Sequence, residues 1–298
     1  MLLKGRMKFT NGFVAHLRQK MAVCLLGAGA ALLLPTASAA VPPGRIVSLA
    51  PNLTEILYDL GVENRIAAVT DYCDYPPGAG TKPKIGGFAN PSLEAIVSLH
   101  PDWVVMTEDG NPQVLERRLR SFGIGTYLFR ARRIRELPQE IRAMGGILGV
   151  GPAADRRAEE IETGIRRLAE AAGRTSSRRR AGKAIFIVQP TPLIAAGKGT
   201  TIDDAFAILG VENIAASGKT RYPKYSLEEI IRLGPDALFF GRGRGMEERS
   251  KPLLEKLSTL DAVRSGRVHF VGEAIYRLGP RIVSGLEEMA ACLDTRRE

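Results

Sequence analysis

"SLEAIVSLHPD" at 92–102 and "SLEEIIRLGPD" at 226–236 are the same word written twice. Seven of the eleven positions are identical at an offset of 134 residues, and chance is a poor explanation because "LGVEN" at 60–64 returns, in the same order, at 209–213. Each longer word joins apolar residues at helical spacing to Pro-Asp and then to an apolar run, which reads as a helix feeding a buried strand. The chain therefore has two similar halves. The two words lie 15 residues further apart in the first half than in the second, so the first half carries an insertion.

Working outward, both halves alternate strands and helices. "RIVSLA" (45–50) and "IAAV" (66–69) read as strands around the helix "NLTEILYDLG", with Asn52 as cap candidate and Gly61 as stop. "NPSLEAIVSL" opens a helix with Pro91 in its first turn, "PDWVVM" is a strand, and "QVLERRLRSFG" is a helix. The second half repeats the scheme with "KAIFIVQ", "TIDDAFAILG", "SLEEIIRLG", "PDALFFG", "RVHFVG" and "PRIVSGLEEMAACL". Alternation of this kind predicts an α/β fold of two Rossmann-like lobes, with mostly parallel sheets covered on both faces. Between the halves, 151–174 is rich in Ala, Glu and Arg and carries an apolar stripe at Ile161, Ile165 and Leu168. It predicts one long helix joining a lobe at 41–150 to a lobe at 175–298, with a stop at Gly173. "RTSSRRR" (174–180) reads as a solvated exit turn.

Residues 1–40 are expected to be an export signal: five basic residues, no acid, the apolar run "MAVCLLGAGAALLL", and a small-residue cleavage site near Ala39/Ala40. Cys24 lies deep in that run, away from a lipoprotein-type mature start. The five leader charges are half of the formal net charge of +10, and the remaining +5 is too diffuse for a nucleic-acid binder. Cys73 and Cys292 fall in opposite halves and are expected as free or buried thiols.

Enzyme signatures are scarce. The chain lacks a phosphate loop with Lys-Ser/Thr, a G-x-S-x-G elbow, C-x-x-C and H-E-x-x-H. Beyond the leader only His100 and His269 remain, one before a strand and one inside a strand, and both read as structural. No catalytic residue, metal site or resident cofactor is expected. "GRGRG" (241–245), at a strand end, is either an anion-binding loop or a plain connection.

From Arg45 to about Asp294 the chain resembles the periplasmic binding proteins of the cobalamin, haem and ferric-siderophore importers, most of all the cobalamin branch. The motifs are "RIVSLAPNLTEIL", "DYCDYPP" (71–77, within the insertion), "SLEAIVSLHPDWVV", "LIAAGKGTTIDDAF", "YPKYSLEEIIRLGPDAL" and "YRLGPRIVSGLEEMA". The resemblance implies a periplasmic monomer that holds a corrinoid between its lobes and delivers it to an inner-membrane ABC importer with a permease dimer. Haem or a ferric siderophore is the alternative ligand. A chelatase or corrinoid-processing enzyme is a more distant alternative, disfavoured by the export signal and by the lack of a general-base histidine in a cleft loop. The resemblance further implies ligand contacts at Tyr72, Phe88, Tyr222, Glu273 and Arg277, and transporter docking through Glu94 and Glu228. Thr107, Ile194 and Ala274 stand where the cobalamin branch carries aromatics, which implies a less aromatic cleft. The bare residues offer another reason for the two glutamates, since a carboxylate in a first helical turn complements the helix N-terminus.

Overall fold

The computed structural model describes residues 44–176, 182–243 and 245–294. The first sheet is built from β1 (Ile46–Ser48), β2 (Ile66–Val69), β3 (Trp103–Thr107) and β4 (Gly125–Phe129), all parallel, in the order β2-β1-β3-β4. Its helices are α1 (Pro51–Asp59), α2 (Pro77–Gly80), α3 (Leu93–Ser98), α4 (Gln113–Ser121) and α5 (Leu137–Leu148). Helix α6 (Gly151–Ser176) leads to the second sheet, made of β5 (Lys183–Pro190), β6 (Leu193–Ala195), β7 (Glu212–Asn213), β8 (Ala237–Gly241) and β9 (Val268–Val271). Its helices are α7 (Thr201–Ile208), α8 (Leu227–Leu233), α9 (Met246–Lys256), α10 (Asp261–Arg264) and α11 (Ile282–Asp294). Strands β7, β5, β8 and β9 pair in parallel and repeat the order of the first sheet, while β6 adds an antiparallel hairpin arm to β5. The fold is therefore the two-lobed α/β arrangement expected from the repeat.

The repeated words have physical jobs. Ser92 and Ser226 cap α3 and α8 by accepting the backbone N–H of Ala95 (3.1 Å) and Glu229 (3.2 Å). Ile96 and Ile230 are fully buried. The aspartate of each "PD" clamps the start of the neighbouring central strand. Asp102 Oδ2 accepts from the Arg45 backbone N–H (2.7 Å), and Asp236 Oδ2 from that of Lys183 (2.8 Å). "LGVEN" is a helix stop: Gly61 and Gly210 sit at φ 73° and 68°, and the N–H groups of Val62 and Val211 reach back to the carbonyls of Leu57 and Phe206. At the matching ends of α3 and α8 stand His100 (φ 47°) and Gly234 (φ 58°), so an exposed histidine holds a left-handed position that its repeat gives to glycine.

Some boundaries differ from the sequence expectation. Pro51, not Asn52, opens α1, and Ala50 is its cap residue, which frees the Asn52 side chain. Pro91 lies ahead of the Ser92 cap instead of inside α3. Helix α6 runs through Gly173 to Ser176, because a glycine stops a helix only when it turns left-handed and otherwise costs about 1 kcal/mol. Helix α6 has 26 residues, roughly 39 Å at the usual rise. Of "RTSSRRR", 177–180 lie outside the described residues, as do residues 1–43 and Arg244.

Alternate residues of the strands feed different cores. Val47, Val104 and Met106 pack under α3 and α4, and Ile185, Leu238 and Phe240 pack under α8 and α9. The opposite faces, through Ile46, Val105, Phe186 and Phe239, join one central core with α1, α5, α6, α7 and α11. The two lobes thus share apolar packing as well as a helix. Cys73 is buried beside the Thr54 and Thr70 hydroxyls, and Cys292 is half-buried; neither is in a disulfide.

Polar contacts reinforce this junction. The Glu55 carboxylate of α1, 2% exposed, is gripped by Arg281 through two hydrogen bonds of 2.8 and 2.7 Å and approached by Arg277 at 3.4 Å. Asn52 donates to the Leu278 carbonyl (3.1 Å), and Asp204 of α7 accepts the backbone N–H of Ile134 (2.7 Å). The Arg281 guanidinium also lies over the Tyr75 ring, 3.8 Å from its centre.

Two outcomes are expected. His100→Gly relieves the left-handed strain, partly offset by the freer unfolded glycine, and raises stability by about 0.5–1 kcal/mol; a lower melting temperature would mean that the imidazole makes a needed contact. Glu55→Ala leaves two guanidinium groups at the junction without their buried partner, and denaturant unfolding should show a loss of about 3 kcal/mol. A loss under about 1 kcal/mol would show that solvent replaces the carboxylate.

Candidate functional site

In both sheets the order reverses beside the first central strand, and in open α/β sheets the crevice at the carboxyl ends of such strands is the usual ligand site. Both crevices open on the same cleft. Pro51 and Asn52 after β1 face Phe186 and Val188 of β5, Gly241 at the end of β8, and Arg242 and Gly243 beyond it. The cavity has a volume of about 580 Å³, within the range that takes a small-molecule ligand.

All five residues singled out as ligand contacts line this cavity: Tyr72 and Phe88 from the first lobe, and Tyr222, Glu273 and Arg277 from the second. Tyr72 rides on the insertion, which is stitched down by the Lys84 ammonium donating to the carbonyls of Cys73 (3.1 Å) and Ala79 (3.3 Å). Phe88 is held from behind. The buried Asn111 amide donates to its carbonyl (2.8 Å) and to that of Leu49 (3.2 Å), while accepting the Thr107 N–H (2.7 Å). The ring also needs Gly110, at φ 116°, where a Cβ would fall 1.9 Å from Phe88 Cε1. Tyr222 follows Arg221 and precedes Pro223, at the rim.

The cleft is more aromatic than the sequence reading expected. Phe186 and Tyr276, which that reading did not single out, line it and meet edge-to-face at 6.2 Å. Thr107 lies deeper, in an adjoining chamber, and Ile194 and Ala274 are not on the cleft wall. Tyr72, Val188, Tyr222 and Tyr276 are among the large apolar side chains most open to solvent, with Tyr72 47% and Tyr222 52% exposed. Four such groups around one cavity form an exposed apolar surface, the kind that marks binding grooves.

The charges on the cleft wall are already matched. Arg277 meets Asp74 (2.8 Å), Glu273 and the more distant Glu55. Its hydrogen bond holds the Asp74 carboxyl below the ordinary aspartate range. Arg242, in the "GRGRG" stretch, turns away to the Phe270 carbonyl (2.6 Å) and Glu288 (3.2 Å), so its side chain serves β9 and α11 instead of an anion in the cleft. Sequence reasoning also missed Glu55, Asp74 and Arg281. A glutamate in an amphipathic helix reads as solvated unless the partner lobe is known.

Glu94 and Glu228 are exposed in the first turns of α3 and α8, and among the described residues neither is in an ion pair. In α8 the capping acid is Glu229, which accepts the Ser226 N–H at 2.8 Å. The neighbouring backbone N–H and the Ser226 hydroxyl hold the Glu228 pKa below the ordinary glutamate range. His100 and His269 are distant from any role in the cleft wall; His269 lies against Phe239, and burial lowers its pKa.

Comparison with known proteins agrees with this geometry. Residues 46–273 match the family model described as periplasmic binding protein. A vitamin B12-binding protein of Pectobacterium atrosepticum is 27% identical over 263 residues, covering 88% of this chain and 92% of that protein. An uncharacterized ABC transporter substrate-binding lipoprotein of Bacillus subtilis is 29% identical over 264 residues, covering 86% and 82%. Among solved structures, a periplasmic haem-binding protein from Roseiflexus sp. RS-1 superposes with a TM-score of 0.75 at 26% identity, covering 84% of this chain and 97% of that one. The periplasmic vitamin B12-binding protein of Vibrio cholerae gives 0.74 at 24%, covering 85% and 97%, and shares the fold. With two matched lobes, one joining helix, an aromatic cleft between them and a family model covering most of its length, the chain belongs to the periplasmic binding protein family.

Proposed function

We propose that this protein is an exported receptor that captures a corrinoid in the interlobe cleft and delivers it to an ABC importer. The observation that carries the ligand is the combination of five aromatic rings with arginines that are already paired. A broad macrocycle with an amide periphery buries against such rings without demanding a free cation. A dianionic ligand, such as haem with its two carboxylates, finds the cleft arginine engaged: taking Arg277 would strip Asp74 and Glu273 of that partner, while Glu55 keeps Arg281. The vitamin B12-binding relatives support the same choice, and the haem-binding structures supply the competing one.

The test is a calorimetric titration of the purified full chain with cobalamin, haem and a ferric siderophore, with desalting to look for a coloured complex. One cobalamin per monomer is expected, with a free energy of about −8 to −11 kcal/mol. Tight haem binding with no cobalamin heat overturns the ligand and leaves the fold standing.

Tyr222→Ala should weaken cobalamin binding by more than about 1 kcal/mol with little change in melting temperature, because the exposed ring is spare to the fold but available to the ligand. A variant that unfolds while its folded fraction binds normally would make Tyr222 a core residue. For docking, two exposed glutamates at repeat-related positions suit the two halves of an importer, where charge-assisted pairs orient a transient complex. Glu94→Ala combined with Glu228→Ala should leave cobalamin affinity and stability unchanged and abolish transport by the cognate importer in proteoliposomes. Wild-type transport by the double variant would reduce both acids to helix-end electrostatics.

A further inference from the structure

A second, smaller chamber of about 170 Å³ adjoins the main cleft and shares Asn52, Phe88, Thr201, Tyr222 and Leu278 with it. It lies past the carboxyl ends of β3 and β4, where the first lobe contributes Glu108, Asp109, Arg130 and Arg132, and the second lobe contributes Arg221. Its character differs from that of the cleft. Arg132 pairs with Glu108 (2.9 Å) and lies 3.8 Å from Asp109, and Arg221 crosses from the other lobe to Asp109 (2.6 Å). Both acids are thereby engaged. Among the described residues Arg130 is in no ion pair, and the buried Arg221 Nε has no hydrogen-bond acceptor. Three guanidinium groups against two carboxylates leave one positive charge and at least one buried donor without a partner. A buried donor without an acceptor is costly, and guanidinium groups match phosphate oxygens in both charge and geometry.

We infer that this chamber is a subsite for a single negative charge, a phosphodiester, carried by the molecule whose macrocycle occupies the main cleft. The inference rests on the corrinoid reading and adds a specificity-determining residue, Arg130, that the aromatic wall does not provide. A monoanion completes the charge balance of the chamber, whereas a dianion would overshoot it. The shared lining residues make the two cavities continuous, so one ligand can span both. The phosphodiester of the cobalamin nucleotide loop has this chemistry, and cobinamide, which keeps the corrin but lacks the loop, does not.

The experiment titrates the full-length wild type and Arg130→Ala with cobalamin and with cobinamide, follows thermal melting of both proteins, and repeats the cobalamin titration in excess inorganic phosphate. Arg130 is exposed, so the variant is expected to melt as the wild type does. The wild type should prefer cobalamin by about tenfold, the scale of one charge-assisted contact, and Arg130→Ala should remove that preference without altering cobinamide affinity. The subsite is overturned if the wild type binds the two alike, if the variant keeps the preference, if it loses affinity for both equally, or if phosphate alone stabilises the wild type without any cobalamin preference. If the wild type binds neither corrinoid, the ligand reading itself fails and takes the subsite with it.

Discussion

The geometry of the cleft depends on one buried carboxylate. Glu55 belongs to the first lobe, and both guanidinium groups that reach it belong to a short stretch of the second, 277–281. Burying such a cluster contributes little net stability, because desolvation offsets most of the attraction. What it contributes is direction: two hydrogen bonds from Arg281 to one carboxylate fix orientation as well as distance. The same helix that carries Glu55 begins with Pro51 and Asn52, which form part of the cleft floor. The relation between the lobes and the shape of the site are thus set by one element.

This junction is not the narrow hinge of a protein that closes by bending. Helix α6 spans it, Asn52 and Asp204 bridge it, and the central core passes through it without a break. Opening the lobes would expose that core to water, at roughly 25 cal/mol for each Å² of apolar surface. Cleft walls held in a fixed relation lower the ordering cost of any association between them. The exposed tyrosines fit the same logic, since an aromatic ring offers large contact area with few rotatable bonds to freeze.

Charge is distributed unevenly over this frame. Around the main cleft every lining arginine is answered by an acid or a carbonyl, and the surface offered to a ligand is chiefly ring face. At the ends of β3 and β4 the balance tips by one positive charge. On the exposed helix ends, Glu94 and Glu228 stand without ion-pair partners among the described residues. The molecule separates a neutral aromatic wall from charged features that lie beside it or outside it.

The sequence by itself determined the two-lobed α/β plan, because the evidence for it is local and repeated. Serine caps, left-handed glycine stops and the Pro-Asp strand clamps are each written within a few residues, and a repeat doubles the signal. A family resemblance, not the residues alone, pointed to Tyr72, Phe88, Tyr222, Glu273 and Arg277, five residues that the structure brings to one cavity. Tertiary structure alone decided the rest. Glu55 and Arg281 are 226 positions apart, and nothing near either announces a partner. Phe186 looks like any strand residue until the direction of β5 turns it to the cleft, and helix α5 is obscured by Gly145 and Gly146 in its sequence. Arg130, Arg132 and Arg221 become one chamber only when the ends of two sheets meet, because a charge excess is a property of the residues that face each other and not of those that follow each other.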